Sequence, residues 1–150
     1  KGNSLPRTNE DNWEGFRRGK FKENLDARVL VFDDALTVAY QFRPAGEGWA
    51  NKGKLLISGI TADPKKPAWT NEPIELVTDD MVLTPQYVYA VGHYQRIKKG
   101  PELWVLSRED GKVVSMIPVD GFPAFFGMSA AGNKLLVATR EGRLICYEGK

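Results

Sequence analysis

Residues 81–91 read Met81-Val-Leu-Thr-Pro-Gln-Tyr-Val-Tyr-Ala-Val91 and decide the fold, because two short apolar runs flank a turn. Runs rich in Val, Leu and Tyr that end at turn residues are typical of β-strands, and two such runs around a turn indicate a hairpin. The pattern occurs twice more: Val29–Phe32 precedes Leu36–Tyr40, and Met128–Ala131 precedes Leu135–Thr139. The chain therefore contains a repeated hairpin unit.

Further apolar runs follow each hairpin. A third strand begins at Leu55, Leu103 and Leu144, and a fourth begins in the first two copies at Ile74 and Val113. No stretch keeps apolar residues at helical spacing over about ten positions, so little helix is expected. The candidate strands are Arg28–Phe32, Leu36–Phe42, Lys54–Ile60, Ile74–Val77, Met81–Thr84, Tyr87–Val91, Glu102–Leu106, Lys112–Ile117, Gly127–Ala130, Lys134–Thr139 and Arg143–Tyr147.

The repeat length indicates the architecture. If Ala39, Ala90 and Ala138 are equivalent, the copies lie 51 and 48 residues apart, close to the roughly 40–50 residues of a β-propeller blade, which has four strands. The sequence predicts an all-β chain of about three four-stranded antiparallel sheets, the last incomplete, at residues 28–78, 79–120 and 121–150, after an irregular arm at residues 1–27. We expect either the last part of a larger propeller or a ring completed by a second copy.

Composition excludes several classes of protein. The net charge of +2, from 21 basic and 19 acidic side chains, favours neither nucleic acid nor an anionic membrane. A single cysteine, Cys146, and a single histidine, His93, cannot form a disulfide or a Cys/His zinc site within the chain. No apolar run reaches the roughly 18 residues of a membrane span. No metal site is predicted.

Two segments resemble the PQQ-like, or quinoprotein-like, β-propeller repeat: Glu102–Val119 and Phe126–Tyr147. In that family a strand ends near an Asp, a Thr-Gly-Lys turn follows, and a tryptophan docks on the neighbouring blade. Asp110-Gly111-Lys112 occupies the turn, and Trp69 is a candidate for the docking role. The resemblance covers residues 28–150. It implies a propeller scaffold, an extracytoplasmic or periplasmic location and, in some relatives, oxidoreductase activity with pyrroloquinoline quinone and calcium.

The candidate ligand-binding residues lie in segments predicted to be loops on one face of the propeller. His93, Tyr94 and Arg96 follow the second strand of the middle repeat, where simple exposure to solvent is the alternative interpretation. Phe125 and Phe126, with Phe122, precede the third repeat. They form either a stacking platform or, as we favour, packing between adjacent blades.

The remaining reactive side chains have simpler structural interpretations. Asp33-Asp34 and Asp79-Asp80 could bind calcium or act as an acid/base pair, but turns favour Asp and we assign both pairs to turns. Cys146 is predicted to be an inert thiol. No phosphate loop, serine elbow or paired-His motif is present. The sequence thus predicts no catalytic residues and a non-catalytic binding or scaffold module. The alternative is part of a PQQ- and calcium-dependent oxidoreductase.

Overall fold

The computed structural model describes residues 27–43, 54–61, 65–94 and 97–148, with only the backbone described at residues 42, 43, 54 and 72–74. The described residues form eleven strands and no helix. They therefore contain no helix that is long and apolar enough to cross a membrane. The strands are β1 (Val29–Phe32), β2 (Thr37–Arg43), β3 (Lys54–Ile60), β4 (Trp69–Ile74), β5 (Leu76–Leu83), β6 (Tyr87–Tyr94), β7 (Glu102–Ser107), β8 (Val113–Pro118), β9 (Pro123–Ala131), β10 (Lys134–Thr139) and β11 (Leu144–Glu148).

The strands form three open antiparallel sheets in chain order. Sheet 1 contains β1 to β4, sheet 2 contains β5 to β8, and sheet 3 contains β9 to β11, and in each sheet consecutive strands are hydrogen-bonded neighbours. The first strands of the sheets lie side by side, because β1 contacts β5 and β5 contacts β9. The all-β class and the order of the three sheets therefore agree with the prediction.

Several strand limits differ from those predicted. β6 continues through His93 and Tyr94, so these residues belong to a strand and the loop assignment is wrong. The predicted strand Ile74–Val77 is also wrong, since Ile74 ends β4 and Leu76 begins β5. The predicted repeat boundary after residue 78 consequently falls within β5. The predicted arm at residues 1–27 lies outside the described residues except for Ala27, which is buried.

Sheets 1 and 2 each pack their forward face, the one turned toward the next sheet, on the rear face of that sheet. In sheet 3 the forward face is the one turned away from sheet 2. Between sheets 1 and 2 the buried core includes Val38, Tyr40 and Ile57 on one side and Val88 and Ala90 on the other. Between sheets 2 and 3 the buried core is made by Val91, Leu103, Val119, Leu135 and Val137. Because side chains alternate along a strand, β6 contributes to both cores from opposite faces.

The third copy is offset by one residue from the predicted equivalence. Ala39 and Ala90 lie on the rear faces of sheets 1 and 2, since their neighbours Tyr40 and Val91 lie on the forward faces. In sheet 3 the fully buried rear-face residue is Val137, so Ala138 is turned toward the forward face. A shift of one residue reverses the face of every side chain in a strand, and the equivalence of Ala138 is therefore wrong.

Trp69 holds sheet 1 on the turn between β7 and β8 of sheet 2. Its indole N–H donates to the carbonyl of Arg108 at 2.9 Å, and the Asn71 amide donates to the carbonyl of Gly111 at 2.8 Å. The ring fits closely against two glycines: a Cβ added to Gly59 or Gly111 would come within 2.2 or 2.3 Å of it. The predicted docking of Trp69 on a neighbouring sheet is confirmed.

An ion pair supports the same junction. Asp33 accepts hydrogen bonds from the backbone N–H groups of Ala35 and Leu36, which confirms its place in a turn. Its two carboxylate oxygens also accept from the Arg108 guanidinium at 2.6 and 3.0 Å. Hydrogen bonds from Arg108, together with the turn amides, hold the pKa of Asp33 well below its usual range. Sheets 1 and 2 are thus joined by both apolar and charged contacts.

Candidate functional site

A bulge in β5 positions a buried carboxylate between sheets 2 and 3. The pairing of β5 with β6 shifts between Thr78 and Asp80, so Asp79 is the extra residue of the bulge. The Asp79 side chain is only 6% exposed, and its oxygens contact His93 Nδ1 at 2.7 Å and Arg140 Nη2 at 3.1 Å. A buried carboxylate needs such partners to offset the loss of hydration. The assignment of Asp79 to a turn is wrong.

Asp79 also fixes the orientation of the His93 ring. A carboxylate can only accept hydrogen bonds, so Nδ1 carries the hydrogen and, in the neutral ring, Nε2 is the acceptor. Phe122 lies edge-on to the imidazole, with ring centroids 6.2 Å apart and an interplanar angle of 62°. His93 is therefore held between a carboxylate and an aromatic ring.

Arg140 fastens the start of β9 to this group. Its Nε donates to the carbonyl of Pro123 at 2.9 Å, and its backbone N–H donates to the carbonyl of Phe122 at 2.8 Å. The Glu141 carboxylate accepts from the N–H of Phe122 at 3.2 Å. The entry into β9 is thus fixed by several hydrogen bonds, while about half of the Arg140 side chain stays exposed.

A second bulge, in β9, displays an aromatic pair. The partners of β10 jump from Met128 to Pro123, so residues 124–127 lie opposite Ala138. Within this bulge the Phe125 and Phe126 rings lie 4.1 Å apart and are 59% and 61% exposed. Phe126 has a φ of 54°, in the left-handed region that a bulky side chain rarely adopts. The interpretation that these rings pack between sheets is wrong.

Asp80, the neighbour of Asp79, has a structural role. Its carboxylate accepts from the backbone N–H of Met81 at 2.8 Å and from that of Met128, in sheet 3, at 2.7 Å. Burial raises the pKa of Asp80, and the two amide hydrogen bonds oppose that shift. Asp80 therefore ties β5 to β9 directly below the bulge, and its assignment to a turn is also wrong.

Tyr94 lies apart from this group, on the opposite face of β6. Its hydroxyl donates to Glu102 at 2.5 Å, and Glu102 also accepts from Lys99 at 2.7 Å and Trp104 at 3.1 Å. Burial would raise the pKa of Glu102, but the hydrogen bonds from Lys99, Tyr94 and Trp104 outweigh it and lower that pKa. Tyr94 is thus engaged in a separate polar cluster, and the predicted Arg96 lies outside the described residues.

The site brings together only some of the predicted residues. His93 contacts Phe122, which directly precedes β9, and Phe125 and Phe126 contact each other within β9. Tyr94 belongs to a separate cluster. Sequence analysis missed Arg140 and misplaced Asp79. These two residues are 61 positions apart, and no local pattern could have paired them.

Three of the four aspartates considered as possible calcium ligands are engaged with donors of the protein. Asp33 is paired with Arg108, Asp79 with His93 and Arg140, and Asp80 with two backbone amides. Calcium takes about six to eight oxygen ligands, whereas these oxygens already accept from protein donors. Across residues 27–43, 54–61, 65–94 and 97–148, no three His, Cys, Asp or Glu side chains are grouped to hold a metal ion.

Comparisons with other proteins give information on the fold alone. No family model matches the chain, and no curated protein matches it. Among solved structures, the crystal structure of the computationally designed Ika4 protein is similar, with a TM-score of 0.55 and 10% sequence identity. The match covers 85% of this chain and 69% of the designed one. At that identity the likeness concerns the path of the backbone and carries no activity.

Proposed function

We propose that this chain is a non-catalytic binding module built from propeller-type blades, and that it contacts its ligand through Phe125 and Phe126. The exposed position of this pair is the observation that carries the proposal. The bulge that displays it includes a left-handed Phe126, and strained backbone of this kind is concentrated at functional sites. Exposed, rigid aromatic rings bind partners at a low cost in conformational entropy.

The blade interpretation is supported by the arrangement of the sheets. The three sheets follow one another in chain order with their first strands side by side, which is how blades surround an axis. Trp69 also docks from sheet 1 on the Asp110-Gly111-Lys112 turn of sheet 2. The resemblance to PQQ-like repeats implies a contact of this kind between neighbouring blades, so the docking of Trp69 supports the proposal.

The surroundings of the aromatic pair indicate the chemistry of the ligand. Phe122, which is 48% exposed, adds an apolar ring near the start of the same strand. The Arg140 side chain, which donates to Asp79 and to the Pro123 carbonyl, remains about half exposed next to it. Flat apolar groups stack on such rings, and a guanidinium pairs with an anionic group. A ligand with an aromatic body and a negative charge fits these features best.

Anilinonaphthalene sulfonate is a suitable probe because it has both features. We expect saturable fluorescence enhancement in the wild-type protein. In the Phe125→Ser and Phe126→Ser variants we expect binding to weaken by roughly fivefold each, since a ring contact is worth about 1 kcal/mol. Phe32→Ser is the matched control, because Phe32 is 45% exposed and lies in sheet 1. Equal binding by all four proteins would overturn the proposed site.

A second measurement tests the non-catalytic assignment. The melting temperature is recorded with and without calcium and pyrroloquinoline quinone, because a ligand that binds only the folded protein stabilises it by about 2.7 kcal/mol at one hundred times its Kd. We expect no saturable shift. A saturable shift, accompanied by a change in the quinone absorbance, would instead support the oxidoreductase interpretation.

A further inference from the structure

The central residues of the forward faces of sheets 1 and 2 are buried by the sheets that follow them. Val38 and Tyr40 on the forward face of sheet 1 are 0% exposed, and so is Val91 on the forward face of sheet 2; Leu103 beside it is 1% exposed. Two successive interfaces are thus built in the same way. The same face of sheet 3 should be apolar if it belongs to a third such interface.

That face of sheet 3 is apolar and open. In β10 the buried residues alternate with less buried ones, and in β11 exposed residues alternate with half-buried ones, as expected when one face is covered. The register places Leu136 between Ser129 and Cys146, and Ala138 beside Leu144. Leu144 is 66% exposed and the Cys146 thiol is exposed. These five side chains form what we call the forward patch.

The forward patch is suited to pairing with itself. None of its members is charged, and the nearest charges on the same strands, Lys134 and Glu148, form an ion pair with a distance of 2.8 Å. Two such patches can therefore meet without repulsion between like charges. Apolar sheet faces that pack together bury most of their side chains at a separation of about 10 Å.

Because the forward faces of sheets 1 and 2 are both buried in interfaces, we infer that the forward patch of sheet 3 is buried in one as well. Its partner is the forward patch of a second copy of this chain, related by a twofold axis. A head-to-tail arrangement would need an open rear face on sheet 1. There, however, Ala39 and Leu56 are 0% exposed and Ile60 is 1% exposed. A face-to-face pair uses the same surface twice and is complete with two copies. This proposal does not depend on the ligand proposed for Phe125 and Phe126.

The oligomeric state tests the inference directly. Light scattering of the purified full chain, over a range of concentrations, should show a monomer–dimer equilibrium with no larger species. Leu144→Asp should weaken the dimer by at least about tenfold, because it places a charge in both halves of the interface. Val114→Asp is the matched control, since Val114 is 57% exposed on β8 of sheet 2, and it should leave the dimer intact.

Cys146 provides a second readout that needs no variant. As the only cysteine of the chain, it reports on the forward patch through its rate of modification by a thiol reagent. The rate should fall as the protein concentration passes through the dimer Kd. A monomer at every concentration, open-ended assemblies, or a dimer that Leu144→Asp leaves unchanged while Cys146 stays fully reactive would each overturn the inference.

Discussion

The indole N–H of Trp69 in β4 donates to the backbone carbonyl of Arg108 at 2.9 Å, although the two residues are 39 positions apart and belong to different sheets. The same ring leaves no room for a side chain at Gly111, whose φ of 69° already favours glycine. The junction of sheets 1 and 2 therefore depends on the large Trp69 side chain in sheet 1 and on the absence of a side chain at Gly111 in sheet 2.

A matched pair of glycine variants separates the cost of a positive φ from the cost of a clash with Trp69. Gly132→Ala should cost about 1–2 kcal/mol of unfolding free energy, because Gly132 has a φ of 60° but nothing lies within 4 Å of an added Cβ. Gly111→Ala should cost about 1–3 kcal/mol more, the usual cost of overpacking, because its Cβ would come within 2.3 Å of Trp69. Urea unfolding measures both. In a Trp69→Leu background the extra cost should vanish, and its persistence would show that the ring is not the cause.

The Asp33–Arg108 pair should make stability depend on pH. The folded-state pKa of Asp33 lies below its unfolded value of about 3.8, so the stabilisation is fully present at neutral pH and is lost as the pH falls below that value. Asp33→Asn should cost about 0.5–1 kcal/mol at pH 7, since the Asp33 side chain is 44% exposed and the pair is screened.

Acid and urea unfolding of four proteins would check this prediction. The difference between wild type and Asp33→Asn should shrink below about pH 4. In an Arg108→Gln background, Asp33→Asn should alter the pH dependence less, because only the hydrogen bonds from the Ala35 and Leu36 amides then lower the pKa of Asp33. A difference that stays constant from pH 7 to pH 2 would exclude the ion pair as its source.

Local patterns were sufficient to predict most of the strands, because each hairpin has apolar runs closed by turn residues. They missed β4 and the first residues of β5 and β9. The docking of Trp69 was predicted from the resemblance to PQQ-like repeats and not from these patterns. Local patterns were also not sufficient to fix the third repeat, where Ala138 resembles Ala90 in sequence but Val137 occupies the equivalent face. The alternation of side chains shows which residues of a strand share a face. It does not show how the third repeat aligns with the first two, because a shift of one residue gives a nearly equal match of apolar residues.

The site was harder to predict because its determinants are distant in the chain. Asp79-Asp80 has the composition of a turn, yet both residues are buried in β5 because Arg140, His93 and the N–H of Met128 supply donors. The exposure of Phe125 and Phe126 follows from a bulge opposite Ala138. No short sequence pattern predicts this bulge. Secondary-structure propensity depends on a residue and its neighbours in sequence. The positions of these four side chains are instead set by contacts between sheets.

Asp80 should be essential for the contact between sheets 2 and 3. Asp80→Ala removes the acceptor of the Met128 N–H and should cost about 1–3 kcal/mol of unfolding free energy, the penalty for a buried unpaired donor. Asp80→Asn keeps one acceptor oxygen and should cost less. Hydrogen exchange measured at Met128 should speed up in the Ala variant. Unchanged exchange there would mean that Asp80 does not protect this amide.

In the bulge of β9, relief of the backbone strain at Phe126 should favour stability, while loss of the ring should weaken ligand binding. Phe125 and Phe126 are almost equally exposed, so replacing either with Asn removes a similar amount of buried apolar surface. Only Phe126 has a left-handed backbone, which Asn tolerates much better than Phe. Phe126→Asn should therefore be about 1 kcal/mol more stable than Phe125→Asn in urea unfolding.

Both Asn variants should nevertheless lose affinity for anilinonaphthalene sulfonate, because each lacks one ring of the pair. If Phe126→Asn is the more stable of the two variants and also binds the probe less well than the wild type, the strain at Phe126 is maintained in favour of binding. If Phe126→Asn were no more stable than Phe125→Asn, the positive φ would carry no cost and the bulge would be an ordinary irregularity of β9. If it were more stable and bound the probe as tightly as the wild type, the strain would be real but unconnected with ligand binding.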